Sequence, residues 1–256
     1  MYRVDLNSDL GESFGPYTMG CDELVLREVT SANVACGWHG GDPLVLDKTL
    51  AAAKAQGVAV GAHPGFPDLL GFGRREMKAS PEEVRAYVLY QLGAFAAFAG
   101  KHGLQVQHLK AHGALYNMAA RDMQLAMAVA QAVKDFNPGI ILTGLAGSCL
   151  LKAGRVLGLR VASEAFADRA YEPDGSLMSR KKPGAVLTEE EMIVRRAVRM
   201  VKEGLVTAAD GTDIPVRADT LCVHGDNPQA VALTHRLRAA LTAEGVALMP
   251  LGRIVG

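Results

Sequence analysis

Residues 32–63 read ANVACGWHGGDPLVLDKTLAAAKAQGVAVGAH, and this stretch decides the fold class. Its two ends are strand-like runs rich in small apolar residues, Ala32–Gly37 and Val58–Ala62. Between them, Asp42-Pro43 provides the residue types typical of a helix N-cap and of the first helical position, and Gly57 is placed to end that helix. Two apolar strands joined by one helix predict a parallel β-α-β unit with a right-handed crossover.

The same alternation continues on both sides of this unit. Capping signals at Ser80-Pro81-Glu82-Glu83, Thr188-Glu189-Glu190-Glu191 and Asn227-Pro228 predict the starts of three further helices. The strand-like runs are Arg3–Asn7, Ala32–Gly37, Val58–Ala62, Gln105–Lys110, Ile140–Gly144, Leu159–Ser163, Thr220–His224 and Val246–Pro250.

Seven or eight such units in 256 residues predict a closed (β/α) barrel of the TIM type. A doubly wound open sheet is the alternative. No linker rich in Gly, Pro or Ser divides the chain, so we expect a single domain over residues 1–256. Asp210-Gly211 is a hairpin-turn signal, and it predicts a small hairpin insertion near residues 206–217.

Charge and composition exclude several function classes. Lys plus Arg (27) equals Asp plus Glu (27), so no basic field attracts nucleic acid or an anionic membrane. No apolar run is long enough to span a bilayer, and the N-terminus lacks the pattern of a signal peptide. Four cysteines without CxxC spacing are typical of reduced thiols, so we expect a cytoplasmic protein.

Polar and ionisable side chains concentrate at the ends of the strand-like runs. Parallel α/β folds form their sites at the carboxyl ends of the strands. Five of the seven histidines lie there, whereas His102 and His235 lie in predicted helices. Because unpaired buried charges destabilise a fold, this concentration predicts an active site at the barrel mouth. The candidate residues are Asp9, Glu12, His39, His63, Lys110, His112, Asn117, Glu164, Arg169, Arg180 and His224.

Structural roles compete with functional ones at several positions. Asp42 has the position of a helix cap, and Asp226 competes with Asn227 for the same role at a later helix. Arg169 could pair with its neighbour Asp168. The remaining alternatives are a solvated carboxylate at Glu12, packed histidines at His39 and His63, and a solvated charge run at Arg180-Lys181-Lys182.

Six motifs together resemble the LamB/YcsF family. They occur in the expected order and span nearly the whole chain. The one departure is Ala111, where the family usually has proline, and it leaves Lys110 and His112 in place. The motifs are DLNSDLGESFG (5–15), ANVACGWHGGD (32–42), GAHPGFPDLLGFGRR (61–75), KAHGALYN (110–117), EAFADRAY (164–171) and HGDNP (224–228).

The resemblance implies a fold, an activity and partners. The implied fold is a distorted seven- or eight-stranded (β/α) barrel, similar to the glycoside hydrolase and metal-dependent polysaccharide deacetylase barrels. The implied activity is ATP-dependent hydrolytic opening of 5-oxo-L-proline to L-glutamate, in a complex with 5-oxoprolinase subunits B and C. These expectations come from the resemblance and not from composition or spacing.

Lactam opening needs a base for water and cations for the developing oxyanion. The sequence has no GxxxxGK[ST] motif, and Gly144–Ser148 carries only a generic phosphate-loop signal, so we expect ATP to bind mainly to the partner subunits. The expected catalytic residues are Asp9, Glu12, Lys110, His112 and Glu164. The expected substrate-binding residues are His39, His63, Asn117, Arg169, Arg180 and His224.

Two other functions remain open from the sequence. A divalent-metal deacetylase or amidohydrolase would use Asp9, His39 and His63 as ligands, with His224 as a further one, because aspartate and histidine at strand ends suit zinc or a similar ion. A non-catalytic regulator that binds a small carboxylate ligand is the other. Metal content separates the first of these from a metal-free lactam hydrolase.

Overall fold

The architecture follows from the strand pairing in a computed structural model, which describes residues 1–223 and 227–255. The strands are β1 (Arg3–Leu10), β2 (Ser31–Ala35), β3 (Ala59–His63), β4 (Val106–Lys110), β5 (Ile141–Leu145), β6 (Val161–Phe166), β7 (Leu205–Thr207), β8 (Asp213–Pro215), β9 (Thr220–Cys222) and β10 (Ala247–Leu248).

Helices connect most of these strands. They are α1 (Asp22–Val25), α2 (Pro43–Gln56), α3 (Pro81–Lys101), α4 (Gly113–Arg121), α5 (Met123–Phe136), α6 (Cys149–Val156), α7 (Glu190–Lys202) and α8 (Pro228–Ala243), followed by a short 3₁₀ helix at Leu251–Arg253.

Seven parallel strands close into a barrel. Their order is β1-β2-β3-β4-β5-β6-β9, and β9 pairs back onto β1 through Asp5 with Thr220 and Asn7 with Cys222. β10 pairs with β1 through Arg3 and is not one of the seven barrel strands. The predicted (β/α) barrel is therefore confirmed, and the open-sheet alternative is wrong.

Strand β1 is longer than the sequence predicted, and this changes where Asp9 lies. The ladder with β2 continues through Asp9 opposite Asn33 and Leu10 opposite Val34, so Asp9 lies inside the strand and not in the loop after it. Likewise, β6 runs to Phe166 and includes Glu164. The expectation that both carboxylates follow their strands is wrong, because ladder pairing extends past the apolar runs.

Alternation along β1 divides its side chains between the barrel interior and the surrounding core. Val4, Leu6 and Leu10 are buried apolar residues of the main hydrophobic cluster. Asp5 and Asn7 are also buried and hydrogen-bond to residues of other barrel strands. The interior of this barrel is therefore polar, whereas its outer face packs on helices rich in Ala, Leu and Val.

The helix starts follow the capping signals closely. Asp42 accepts from two backbone N–H groups of α2, and Ser80 forms a full capping box at α3. Asn227 caps α8. At α7 the N-cap is Glu189, which accepts from the Met192 N–H, so the box predicted to begin at Thr188 is wrong by one residue.

Between α7 and β9, β7 and β8 pair antiparallel on either side of Asp210-Gly211. This hairpin lies outside the barrel ladder. Among the described residues, no helix is both long and apolar enough to cross a membrane.

Candidate active site at the barrel mouth

Lys110 lies at the centre of a buried ionic network. It is the last residue of β4, and its Nζ lies 3.0 Å from Asp9 Oδ1 and 2.7 Å from Glu164 Oε1. The same ammonium lies 3.2 Å from both Asn7 Oδ1 and Cys222 Sγ. Burial would lower the pKa of Lys110, but the adjacent carboxylates outweigh it and hold the pKa well above its usual range. Lys110 is therefore a fixed positive charge.

Glu164 is fully buried and fully engaged. Its Oε1 accepts from Lys110 and from Asn7 Nδ2 at 3.0 Å, and its Oε2 accepts from the Tyr116 hydroxyl at 2.7 Å. A carboxylate with three donors and no exposed surface cannot reach a substrate without breaking these bonds. Its geometry suits a counter-ion that holds Lys110 and does not suit a proton acceptor for substrate water.

The two carboxylate oxygens of Asp9 have different partners. Oδ1 accepts from Lys110 and from Asn33 Nδ2 at 2.8 Å. Oδ2 lies 3.4 Å from His63 Nε2. The side chain is 27% exposed, so solvent reaches this carboxylate. Burial raises the pKa of Asp9, but the charges of His63 and Lys110 bring it well below its usual range and keep the carboxylate ionised.

Three histidines and Glu12 form the upper part of the site. The His39 and His112 rings stack with centroids 3.6 Å apart, and His63 meets both rings edge-on. Glu12 Oε1 lies 3.2 Å from His39 Nε2 and 3.4 Å from His112 Nδ1, and its side chain is 15% exposed. Asp9 and Glu12 are thus the carboxylates of the cluster that solvent reaches.

Backbone carbonyls fix the tautomers of two of these histidines. His63 Nδ1 lies 2.7 Å from the Lys110 carbonyl, and His112 Nε2 lies 2.9 Å from the Phe72 carbonyl. A carbonyl only accepts, so both ring nitrogens carry hydrogen. The opposite nitrogens, His63 Nε2 and His112 Nδ1, then face each other at 3.0 Å. This contact is stable only with a proton or a cation between the two atoms.

The protonation states of the histidines differ. Burial lowers the pKa values of His39 and His112 well below their usual range, so both rings are neutral. Burial acts in the same direction on His63, but the Asp9 carboxylate overcomes it and raises the pKa of His63. His63 therefore holds a proton more tightly than His39 and His112 do.

Glycines let the chain approach these rings closely. A Cβ at residue 65 would lie 2.8 Å from His39 Nδ1, and a Cβ at residue 73 would lie 2.7 Å from His39 Cβ and 2.8 Å from His112 Cδ2. Gly73 also has a positive φ of 61°, which disfavours any side chain. Thus the glycine-rich runs beside the histidines serve the packing of the site.

The structure brings together most of the predicted site residues. Arg169 instead donates to the Ala185 and Met178 carbonyls, Asn117 is exposed and donates to the Gly113 carbonyl, and Arg180 is exposed in the loop after β6. His224 lies outside the described residues. The clustered residues are Asp9, Glu12, His39, His63, Lys110, His112 and Glu164.

Sequence reasoning missed Asn33, Tyr116 and Cys222 as members of the network, and it left His108 out of the candidate residues although it placed this histidine at a strand end. The signal for Asn33 was its position opposite Asp9 on the neighbouring strand, which only strand register reveals. His108 shares the inward face of β4 with Lys110, and alternation alone indicated this. Tyr116 lies on helix α4, which the sequence did not predict.

The chain is similar over nearly its full length to several known proteins. A protein named as the A subunit of 5-oxoprolinase from Thermococcus onnurineus (strain NA1) is 56% identical over 253 residues, covering 99% of each chain. The crystal structure of a Lactam Utilization Protein from Thermus thermophilus has 52% identity and a TM-score of 0.92, covering 96% of this chain and 99% of that one. A structure described as T48 deacetylase with substrate shares only the fold, at 16% identity and a TM-score of 0.53, covering 99% and 90%.

The family profile covers almost every residue described above. The profile of the LamB/YcsF family matches residues 4–256, which includes the whole barrel. The alignments with the two similar proteins likewise cover nearly all of this chain and nearly all of each relative. The chain therefore belongs to the LamB/YcsF family.

Proposed function

We propose that this chain is the subunit of an ATP-dependent 5-oxoprolinase that opens the lactam ring of 5-oxo-L-proline to give L-glutamate. The observation that carries the proposal is full-length identity of 52–56% to proteins named as the A subunit of 5-oxoprolinase. The Lys110 network supports it, because a lactam hydrolase needs a fixed charge beside an accessible carboxylate.

Ring opening assigns different tasks to Asp9 and His63. Water attacks the lactam carbonyl carbon, and Asp9 Oδ2 accepts a proton from that water, because Oδ1 is already bound by Lys110 and Asn33. The tetrahedral intermediate then collapses, the C–N bond breaks, and the ring nitrogen takes a proton from His63. The products are a carboxylate and an amine, which together are glutamate.

ATP makes the lactam a better electrophile in this scheme. Transfer of the ATP γ-phosphoryl group to the lactam oxygen releases ADP and converts the amide into an activated imidate, which water attacks more readily. Cleavage of the C–N bond then gives an acyl phosphate, and a second water hydrolyses it to the carboxylate and inorganic phosphate. The sequence has no P-loop motif, so the partner subunits carry most of the nucleotide binding. The naming of the relatives as one subunit of an enzyme is consistent with such a division of labour.

Omission of single components tests the proposal. Glutamate release from 5-oxoproline is measured with the chain alone, with 5-oxoprolinase subunits B and C alone, and with all three, each with and without ATP. We expect release only from the complete mixture with ATP. Equal release without this chain, or ATP-dependent release by this chain alone, would contradict the proposed role.

A divalent-metal amidohydrolase is the second candidate, and the facing lone pairs of His63 and His112 favour it. One ligand atom from each of Glu12, His39, His63 and His112 lies within 4.8 Å of the others. The other ring nitrogens of His63 and His112 donate to carbonyls, as the outer N–H groups of metal-bound histidines usually do. These residues therefore fit a divalent cation.

The buried charges lead to the same conclusion. Asp9, Glu12 and Glu164 contribute three carboxylates to the site, whereas Lys110 and protonated His63 supply two positive charges. A divalent cation bound beside Glu12 and Asp9 would neutralise further negative charge in this cluster. When bound by Glu12, His63 and His112, such an ion would polarise the lactam carbonyl as a Lewis acid.

Metal content distinguishes the two candidates. The chain is purified without chelating resins and its zinc, manganese and nickel are measured by mass spectrometry, before and after dialysis against a chelator. If the cluster holds a metal, we expect about one ion per chain, and loss of it in His63→Ala and His112→Ala. His235→Ala is the matched control, because His235 is exposed and pairs with Glu28. Metal retained equally by all three variants excludes the cluster as the site.

A further inference from the structure

His108 is a buried histidine that the proposed reaction does not use. It lies inside the barrel on β4, and its Nε2 lies 2.7 Å from Asn33 Oδ1. An amide oxygen only accepts, so Nε2 carries the hydrogen, and the other ring nitrogen lies 3.3 Å from Gln107 Nε2. Burial lowers the pKa of His108 to about 3, so the ring is a neutral, single-tautomer donor.

The Asp9 carboxylate and this donor together fix the orientation of the Asn33 amide. With Oδ1 bound to His108, Asn33 Nδ2 donates to Asp9 Oδ1 at 2.8 Å and to Asn7 Oδ1 at 2.6 Å. A flipped amide would place its oxygen against these two acceptors and its NH₂ group against the His108 N–H. Every one of the three contacts would then become repulsive, so one orientation is strongly favoured.

The chain makes room for this arrangement at Gly61. Gly61 lies opposite His108 on β3, and a Cβ there would lie 2.4 Å from the imidazole ring. No ordinary side-chain contact is this short, so an alanine at this position would force the ring to move. The glycine is therefore part of the same arrangement.

We propose that His108 is a positioning residue, which holds the Asn33 amide so that Asp9 keeps Oδ1 bound and presents Oδ2 to the substrate. The inference rests on the proposed ring-opening function for its catalytic consequence. Its structural part, the fixed Asn33 amide, is independent of any activity.

Asparagine-selective NMR tests the structural part. The ¹⁵N-labelled chain gives one side-chain NH₂ pair for each asparagine, and Asn33→Ser assigns the pair of interest. In His108→Leu we expect the Asn33 pair to shift and to lose its protection against hydrogen exchange. An unchanged Asn33 pair would overturn the proposal. The asparagines are Asn7, Asn33, Asn117, Asn137 and Asn227.

Steady-state kinetics of the assembled three-subunit enzyme tests the catalytic part. We expect His108→Leu to lower kcat by roughly tenfold to a hundredfold with KM unchanged, as loss of an orienting partner does. His108→Gln keeps an N–H donor of similar reach and should restore most of kcat. Gly61→Ala displaces the ring without removing any polar group, so it should reproduce the defect if His108→Leu fails to fold.

Thr143→Val is the matched control. Thr143 is buried and paired in register with Lys110, and within the described part of the chain its hydroxyl has no hydrogen-bond partner. This variant should change neither the Asn33 signals nor kcat. A silent wild-type complex would refute the proposed function, whereas an active complex in which His108→Leu matches the wild-type kcat would refute the role of His108 alone.

Discussion

Lys110 shows how a single residue organises this site. Its side chain is 4% exposed, and its ammonium contacts two carboxylates, an amide oxygen and a thiol, each from a different position in the sequence. Buried ion pairs of this kind contribute little net stability compared with apolar packing, but removing one partner leaves the other charges uncompensated. We therefore expect the loss of Lys110 to destabilise the fold through the carboxylates that it leaves unpaired.

Replacement of Lys110 by methionine should reveal this dependence. We expect Lys110→Met to lower the free energy of unfolding by about 3–5 kcal/mol, because Asp9 and Glu164 would lose their common cation. Urea unfolding followed by circular dichroism measures the change. Lys48→Met is the matched control: its ion pair with Glu23 is exposed on both sides, so the change should be at most about 1 kcal/mol. Equal effects of the two substitutions would contradict this account.

At the scale of the element, strand β1 places three polar side chains into the barrel interior. Asp5 is the deepest of them and accepts hydrogen bonds from the hydroxyls of Thr30, Ser31 and Thr220. Burial is the largest influence and raises the pKa of Asp5 from 3.8 to about 6, although these hydroxyls oppose the shift. A strand that carries such a group has a stability that depends on pH.

The sign of this dependence follows from the raised pKa. A carboxyl that binds its proton more tightly in the folded state favours folding below its unfolded pKa, and this contribution is lost as pH rises through about 6. The difference of about two units between the folded and unfolded pKa values corresponds to about 3 kcal/mol at its full extent, well below pH 4. We expect Asp5→Asn to remove this dependence, so that the stability difference between variant and wild type changes by about 2 kcal/mol in favour of the variant between pH 4 and pH 7. Urea titrations at these pH values measure it, and a difference that is constant with pH would contradict it.

The loop between β6 and α7 depends on an arginine of the helix that follows it. Arg196 of α7 donates to the carbonyls of Ala167, Arg169 and Thr207. We expect Arg196→Met to lower the hydrogen-exchange protection of the amides within residues 168–187. Arg195→Met is the control on the same helix, because the Arg195 side chain is 73% exposed. Equal protection in the two variants would show that Arg196 does not hold this loop.

The sequence predicted the elements better than it predicted their limits. Asp42-Pro43 and Ser80-Pro81 located helix starts, because a cap is a local interaction between neighbours in the chain. The end of β1 was not predictable in the same way, because Asp9 joins the strand through pairing with Asn33, a partner distant in sequence. Local rules therefore indicated the fold class but not the strand ends.

The same distinction explains which site residues were found. His63 and Lys110 were predicted because each ends a strand beside a glycine-rich or polar motif. Arg169 satisfied the same criterion, yet its guanidinium binds backbone carbonyls of its own loop. Only the three-dimensional path of that loop reveals this use, so charge and position alone do not identify a substrate contact.

At the scale of the whole molecule, side chains from several barrel strands meet at one end of the barrel. Asp9, His63 and Lys110 belong to three different strands. Closure of the barrel brings Asp9 Oδ2 to 3.4 Å from His63 Nε2 and Asp9 Oδ1 to 3.0 Å from Lys110 Nζ. This convergence, together with membership of the LamB/YcsF family, supports the lactam opening that we propose for the barrel mouth. The proposed reaction depends above all on the participation of Asp9.

Turnover of the assembled enzyme carrying Asp9→Asn tests that claim most directly. ATP-dependent glutamate release from 5-oxoproline is measured beside the melting temperature of the same preparation, with Asp47→Asn on the outer helix α2 as the control. Loss of a catalytic base typically costs roughly a hundredfold to ten-thousandfold in rate, so we expect Asp9→Asn to lose that much turnover. We also expect the Asp9→Asn protein to remain folded and the control to have near-normal turnover. A lowered melting temperature with near-normal turnover per folded molecule would remove Asp9 from the mechanism.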